Sequence, residues 1–462
     1  MVRPTVGDMN EQGERWTTEQ VLALAPDAAS RKAGSKLGVA GPWSGTGSSG
    51  GAVWGVCKGS GSKPYRTVVD LAGSAGPGYS CSCPSRKFPC KHVLGLLLLW
   101  AGGDDWAAEP EAPAWADKWL SGRRRRATEK HAAPRGGAQK EKDPAARRRA
   151  ESRARQRAER ITAGVAELEQ RLLDLLRSGL AGSEQEGYGL WEETAARMVD
   201  AQAPGLAARV RELGAVPASG PGWPARLLEE CALIHLLDQG WLHLDELPPD
   251  LAATVRTRVG LPAGAGGPPE RDRWLVLAQH DTGDGRLTTR RIWLYGTASH
   301  RIALLLSYGA AGRPPALALP VGLAFDAELS AYPGAGQLRA ELGERFGAPA
   351  PTKARPSATT TSLAAARYGA ALRDDPWLES WPVTLGPVIP VQAQDGSGWQ
   401  LADADGGLAL PVTAAAAATP GLWRLVALSG GAPVTVFGEC GHRGLTPLAA
   451  WPEGPGEAVA LC

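Results

Sequence analysis

Phenylalanine and methionine are scarce in this chain, with 4 and 3 copies in 462 residues, while tryptophan is present 17 times. The bulky side chains that anchor a core are therefore mostly indoles, and some of them suit contact surfaces as well. Long apolar runs are missing. The longest, Val93 to Trp100, falls far short of the ~20 residues that span a bilayer, so a membrane protein is not expected. The first residues, MVRPTVGDMNEQGERW, have no apolar stretch and do not read as a secretory signal, which predicts a cytoplasmic protein. Net charge is small, at +2, so the whole chain is no polycation. Cysteine is sparse too, with seven copies, and three of them fall within ten residues, a cluster that in a reducing compartment reads as a metal site and not a disulfide framework. Nucleotide and catalytic signatures are also lacking. Gly45–Gly50 matches GxGxxG but precedes a strand pattern instead of opening a helix, and no P-loop or HExxH occurs. No small-molecule substrate is evident from the sequence.

What is present is organised in blocks. The length suits several domains, and the 59 Gly and 37 Pro predict long connections. Residues 1–49 read as a short helix opened by a Thr17 cap, followed by a flexible Gly/Ser segment. Residues 50–120 hold a β-β-β-α unit. AVWGVC at 52–57 and YRTVVDL at 65–71 are joined by the hairpin-like KGSGSKP, a third extended piece covers 79–83, and the apolar helix HVLGLLLLWAG follows. Between Ser121 and Arg160 there are fifteen Lys/Arg against five Asp/Glu, a net +10 that leaves −8 for the rest of the chain. The first part of this block, with Pro134, Gly136 and Gly137, reads as a disordered linker that insulates the N-terminal unit. The part from about Ala145 reads as an Arg-rich helix.

That helix runs into ITAGVAELEQRLLDLLRSGL, where Leu168, Leu172, Leu175 and Leu176 share a face. Residues 161–260 are thus expected to form a helical bundle. Residues 270–381 read as a mixed β-rich region with a helix at 362–372. Residues 382–462 read as a small β-rich barrel or sandwich in which LWRLVAL is one of the extended pieces. The fold class expected is α+β and multidomain: zinc module, basic linker and helix, helical bundle, and β-rich C-terminal half.

The chemistry concentrates at Cys81-Ser-Cys83, six residues, then Cys90-Lys-His92. Structural zinc takes four tetrahedral ligands and leaves no open position. Residues two apart on an extended strand point to one face, which brings Cys81 and Cys83 together, and Cys90 and His92 sit where a helix begins. Three thiolates, a neutral imidazole and Zn²⁺ sum to −1, which Arg86, Lys87 and Lys91 can offset. A catalytic ion needs an open position and a general base, and no second His or carboxylate lies between the ligands. One structural zinc is expected. Cys57 lies outside this frame and reads as a small buried residue. Cys231 and His235, four apart on a helix, could join Cys440, His442 or Cys462 in a second metal site, but more simply pack or face solvent.

CxCx(n)CxH followed by an apolar helix resembles the SWIM-type zinc finger. The longer stretch WGVCKGSGSKPY…VVDL…YSCSCPSRKFPCKHVLGLLLLW resembles bacterial SWIM zinc finger proteins in particular. The resemblance is specific over roughly residues 50–102 and extends loosely to about 240. It implies zinc binding by the four residues named, in a module that binds DNA or protein, and it carries no activity over. The reading that follows is a zinc-finger binding protein. The surface around Arg86, Lys87 and Lys91, with Arg147, Arg148, Arg149, Arg153 and Arg157 of the basic helix, is its candidate contact with nucleic acid, DNA first, because clustered cations displace counterions from phosphates. The alternatives are a protein-interaction adaptor with no nucleic-acid contact, and an enzyme whose site lies in the C-terminal half.

Overall fold

A computed structural model of the chain describes residues 15–26, 28–59, 63–72, 77–85, 87, 89–103, 111–132, 144–180, 183–261, 263–283, 287–310, 315, 317–334, 336, 338–396, 398–454 and 456–462. It opens with helix α1 (Thr18–Leu22), where the Thr17 hydroxyl accepts from Gln20 N and the Gln20 side chain accepts from Thr17 N. Helix α2 (Ala28–Ser35) follows. An antiparallel sheet of four strands comes next, in the order β1 (Trp43–Ser49), β2 (Ala52–Cys57), β3 (Tyr65–Asp70), β4 (Gly78–Cys81). Strand β1 is one more than the β-β-β pattern, and it lies in the stretch whose composition suggested flexibility. Its polar sequence WSGTGSS gives no apolar alternation. Its place comes from backbone pairing with β2, closed by Gly50 and Gly51, whose φ values of +55° and +76° suit a two-residue hairpin turn.

Helix α3 (Lys91–Gly102) buries every residue from His92 to Trp100. It can be apolar all round because Val53 and Val69 of the sheet meet one side, and Trp16, Val21 and Leu323 share the same core. Gly95 lets α2 and the turn after it come close: a Cβ there would lie 2.5 Å from that of Leu37. The opposite face of the sheet, with Ala52, Trp54 and Val68, is covered by Ala116 and Leu120 of α4 (Ala114–Ala132). Strand β2 is therefore sealed on both sides, which explains why its burial does not alternate. Helix α4 also corrects the linker expectation at its start, since the Arg123–Arg126 run is helical. Pro134, Gly136 and Gly137 lie outside the described residues.

The helical domain comprises α5 (Pro144–Ser178), α6 (Ser183–Asp200), α7 (Pro204–Leu213), α8 (Trp223–Leu242) and α9 (Pro249–Val259). Ile161, Val165, Leu168 and Leu172 of α5 are buried against Met198, Val210 and Ile234. Leu175 is partly buried in this core, but Leu176 is 42% exposed, because one further residue turns it about 100° away from the stripe.

The remaining chain forms two packed sheets. The first contains β5 (Glu270–Gly283), β6 (Leu287–Gly296), β7 (Ile302–Ala310), β8 (Leu323–Ala331), β9 (Ala340–Arg345) and β10 (Ala350–Pro351), in the order β10-β8-β5-β6-β7 with β9 also on β8. Helix α10 (Thr361–Asp374) leads to the second sheet. This comprises β11 (Ser380–Gln392), β12 (Trp399–Asp403), β13 (Ala409–Pro411), then helices α11 (Ala414–Ala417) and α12 (Pro420–Ser429), then β14 (Val434–Gly441), β15 (Gly444–Pro452) and β16 (Val459–Ala460). Its order is β13-β12-β11-β14-β15-β16. Leu275, Leu277 and Trp293 of one sheet pack on Phe437, Leu448 and Trp451 of the other, so the sandwich is built across both β-rich regions and not within 382–462 alone. The LWRLVAL piece is the helix α12, not a strand. Pro420 stands at its first turn, Leu422, Leu425 and Ser429 are buried at spacings of three and four, and Gly430 at φ +52° ends it.

The finger is not insulated from the sandwich. Leu323 of β8, fully buried, belongs to the core of α3. The bundle is anchored as well: the Trp377 indole donates to Leu233 O at 2.8 Å, and Arg258 pairs with Asp375 at 2.6 Å. Among the described residues no helix is long and apolar enough to cross a membrane.

Candidate metal centre

The centre forms where β4 ends and α3 begins. Thr67 of β3 pairs with Cys81 of β4, and Ser82 N bonding to Arg66 O carries the ladder one residue further before Pro84. Cys90 is the N-cap of α3, with extended backbone and no side-chain capping bond. Its carbonyl accepts from Leu94 N at 3.0 Å, which leaves the thiol for the cluster. His92, one residue into the helix, is buried with its ring 4.7 Å from that of Tyr65, the two planes tilted by 36°.

One ligand atom from each of Cys81, Cys83, Cys90 and His92 lies within 4.8 Å of all the others. Cys81 Sγ and His92 Nδ1 are 3.7 Å apart, against about 3.6 Å for sulfur and nitrogen ligands on a tetrahedral zinc. Cys81 Sγ also lies 3.3 Å from the Thr67 hydroxyl, which can donate to a thiolate and orient it. The Cys81 thiol is lowered to about 3, chiefly by its hydrogen bond with Cys90, with His92 and Thr67 adding to the effect. Cys90, at the other end of that bond, is pushed up by Cys81 and by burial, and Cys83 is raised by burial. The four residues fit one zinc ion in a closed shell, which is a structural and not a catalytic set.

Residues 65–101 match the SWIM zinc finger, and residues 156–259 match the SWIM-associated four-helix bundle domain. The chain carries a SWIM zinc finger. Its bundle lies in the helical domain, from within α5 to the end of α9. No curated protein and no solved structure matches the chain.

The candidate contact residues fall in three places. Lys87 and Lys91 are exposed beside the SWIM finger's metal centre, and Arg86 lies outside the described residues. Arg148, Arg149 and Arg153 are exposed on α5, and the side chain of Arg147 lies outside the described residues. Arg157 is not on the solvent face of the helix: its Nη2 donates to Gln202 O and Gly260 O, at 3.3 and 3.2 Å, so it closes two loops of the bundle. Cys57 is buried, and its thiol is raised by that burial and by nearby Cys81. Among the described residues, Cys231, His235, Cys440, His442 and Cys462 assemble no second metal cluster. Cys231 sits in the bundle core, His235 bonds Glu169 at 2.7 Å, and His442 faces the Tyr368 hydroxyl at 3.1 Å.

Sequence reasoning named Arg86, Lys87 and Lys91 on the finger but counted the excess of positive charge only in residues 121–160. Ala28 to Gly102 contains nine Lys/Arg and a single acid, Asp70. Asp70 is 2% exposed and accepts from Arg123 Nε at 3.0 Å, so it offsets none of the charge on the finger surface. A plain count from Ala28 to Gly102 finds this signal. Lys58 and Tyr65, which line a groove with Lys87, Lys91 and His92, carried no motif.

Proposed function

We propose that the chain is a nucleic-acid-binding protein whose zinc holds the finger in shape. The observation that carries this reading is the charge of the stretch from Ala28 to Gly102: nine cations, with the single acid of that stretch buried and paired. A closed zinc centre at −1 offsets one of these charges, and the eight of them among the described residues are exposed, where phosphate can reach them. The exposed Arg148, Arg149 and Arg153 of α5 supply a second basic surface. Filter binding of random-sequence DNA and RNA between low and physiological salt tests the reading. Binding should weaken steeply as salt rises, by roughly 0.9 log units per log unit of salt for each duplex phosphate neutralised. Absence of binding at low salt would overturn it.

A protein-adaptor reading is favoured by a different surface. Trp423 of α12 is 61% exposed and meets Trp399 edge-on at 5.7 Å, and Leu408 nearby in the chain is 60% exposed. Exposed tryptophans of this kind anchor protein interfaces. Partner capture that survives nuclease and is lost in Trp423→Ala would place this reading first.

A further inference from the structure

The finger carries a groove of about 520 Å³ beside the metal centre, and its lining mixes two chemistries. Part of its lining is the stripe Ala29, Ala33, Leu37, contributed by α2 and the turn after it at helical spacing. The lining also holds Tyr65, whose ring lies 4.7 Å from that of the metal ligand His92, and Lys58, Lys87 and Lys91. All three lysines are exposed. A volume of this size is in the range that takes small organic groups.

We propose that this groove receives single-stranded nucleic acid, with an unstacked base between the α2 stripe and Tyr65 and the flanking phosphates on Lys58, Lys87 and Lys91. The inference rests on the nucleic-acid reading above and names the form of the ligand. Lysines alone would suit any polyanion. The apolar slot separates the candidates, because a duplex keeps its bases paired and stacked and has nothing to place there. Binding of single strands without sequence preference joins aromatic faces to a cationic track, and both are present in this groove. Lys58 and Lys91 both line the groove and are exposed, which places cationic charge where two phosphates can lie. Tyr65 suits the role because its ring already lies against that of His92, so little ordering is required on binding.

The test is fluorescence anisotropy of the zinc-loaded full chain with random-sequence single-stranded DNA and RNA 12-mers and the corresponding duplex. Single strands should bind at least tenfold tighter than the duplex. Ala29→Trp, at an exposed position, should fill the slot and weaken single-strand binding about tenfold while zinc content and duplex binding stay unchanged. Lys58→Gln with Lys91→Gln should reduce the single-strand salt slope by roughly 1.4, at ~0.7 per phosphate. Equal binding of duplex and single strand, or an unchanged affinity in Ala29→Trp, overturns the groove assignment and leaves the nucleic-acid reading in place. If neither form binds at low salt, both are overturned.

Discussion

The indole N–H of Trp16 donates to the carbonyl of Pro349 at 3.0 Å, in the interior of the protein and across 333 residues of sequence. Trp16 also meets Trp100 of α3 edge-on at 6.4 Å. One side chain therefore ties the N-terminal segment, the zinc-finger helix and the sandwich together. Trp16→Phe keeps the aromatic packing and removes the donor, leaving the Pro349 carbonyl buried without its partner. The expected loss is about 1–2 kcal/mol in urea unfolding, with faster amide exchange around β10. An unchanged midpoint and unchanged exchange would show that the contact is not formed in solution.

Zinc content and segment protection should move together. Protein purified without added metal should hold close to one zinc per chain, and Cys83→Ser or His92→Ala close to none. Because Leu323 lies in the core of α3, loss of the ion should deprotect the start of β8 along with β2, β3, β4 and α3. The core of the helical bundle should keep its protection. Hydrogen exchange by segment checks this. Deprotection that stops at residue 102 would mean the finger folds independently after all.

The arginines of α5 should separate into two classes. Arg148→Gln, Arg149→Gln and Arg153→Gln together should reduce the salt slope of nucleic-acid binding with stability unchanged, since these side chains are exposed. Arg157→Gln should instead cost about 1–2 kcal/mol of bundle stability, because it removes donors from the carbonyls of Gln202 and Gly260. If Arg157→Gln weakens binding as much as the other three together and leaves stability untouched, the distinction is wrong.

A buried carboxyl makes the bundle sensitive to pH. Asp238 is fully buried in α8 with neither carboxylate oxygen bonded. Burial, and then Glu169, push it up to about 9. Glu169 Oε2 accepts from His235 and Gln239, at 2.7 and 3.1 Å, which leaves Asp238 without those donors. An unfolded Asp titrates near 4, so between about pH 4 and pH 9 the folded chain holds a proton that the unfolded chain has released. Stability is therefore full below about pH 4 and falls as pH rises, by up to about 1.4 kcal/mol per unit. Asp238→Asn should flatten that dependence and be the more stable form at pH 8. Urea unfolding at pH 5 to 8 tests it, and parallel curves for the two proteins would refute it.

The sequence by itself determined the metal ligands, because thiolate and imidazole chemistry at CxCx6CxH spacing is local: two residues two apart on a strand, and two at a helix start. It also determined β2, β3, α3 and the α5 stripe through Leu168 and Leu172, where apolar periodicity was strong. Tertiary structure decided the rest. The helix α12 reads as a strand in isolation, and its period of three to four appears only when Leu422 and Leu425 find a sheet to cover. Strand β1 has no apolar pattern and exists through hydrogen bonds supplied by β2. Arg157 looked like its neighbours on the basic helix until the loops at Gln202 and Gly260 came within reach. Asp70 and Arg123 are paired across 53 residues, and that pair takes the one acid between Ala28 and Gly102 out of the surface. In each case the deciding partner is distant in the chain. Local propensity sets what a segment can become, whereas burial and hydrogen bonding to remote groups set what it is, and only folding brings those groups together.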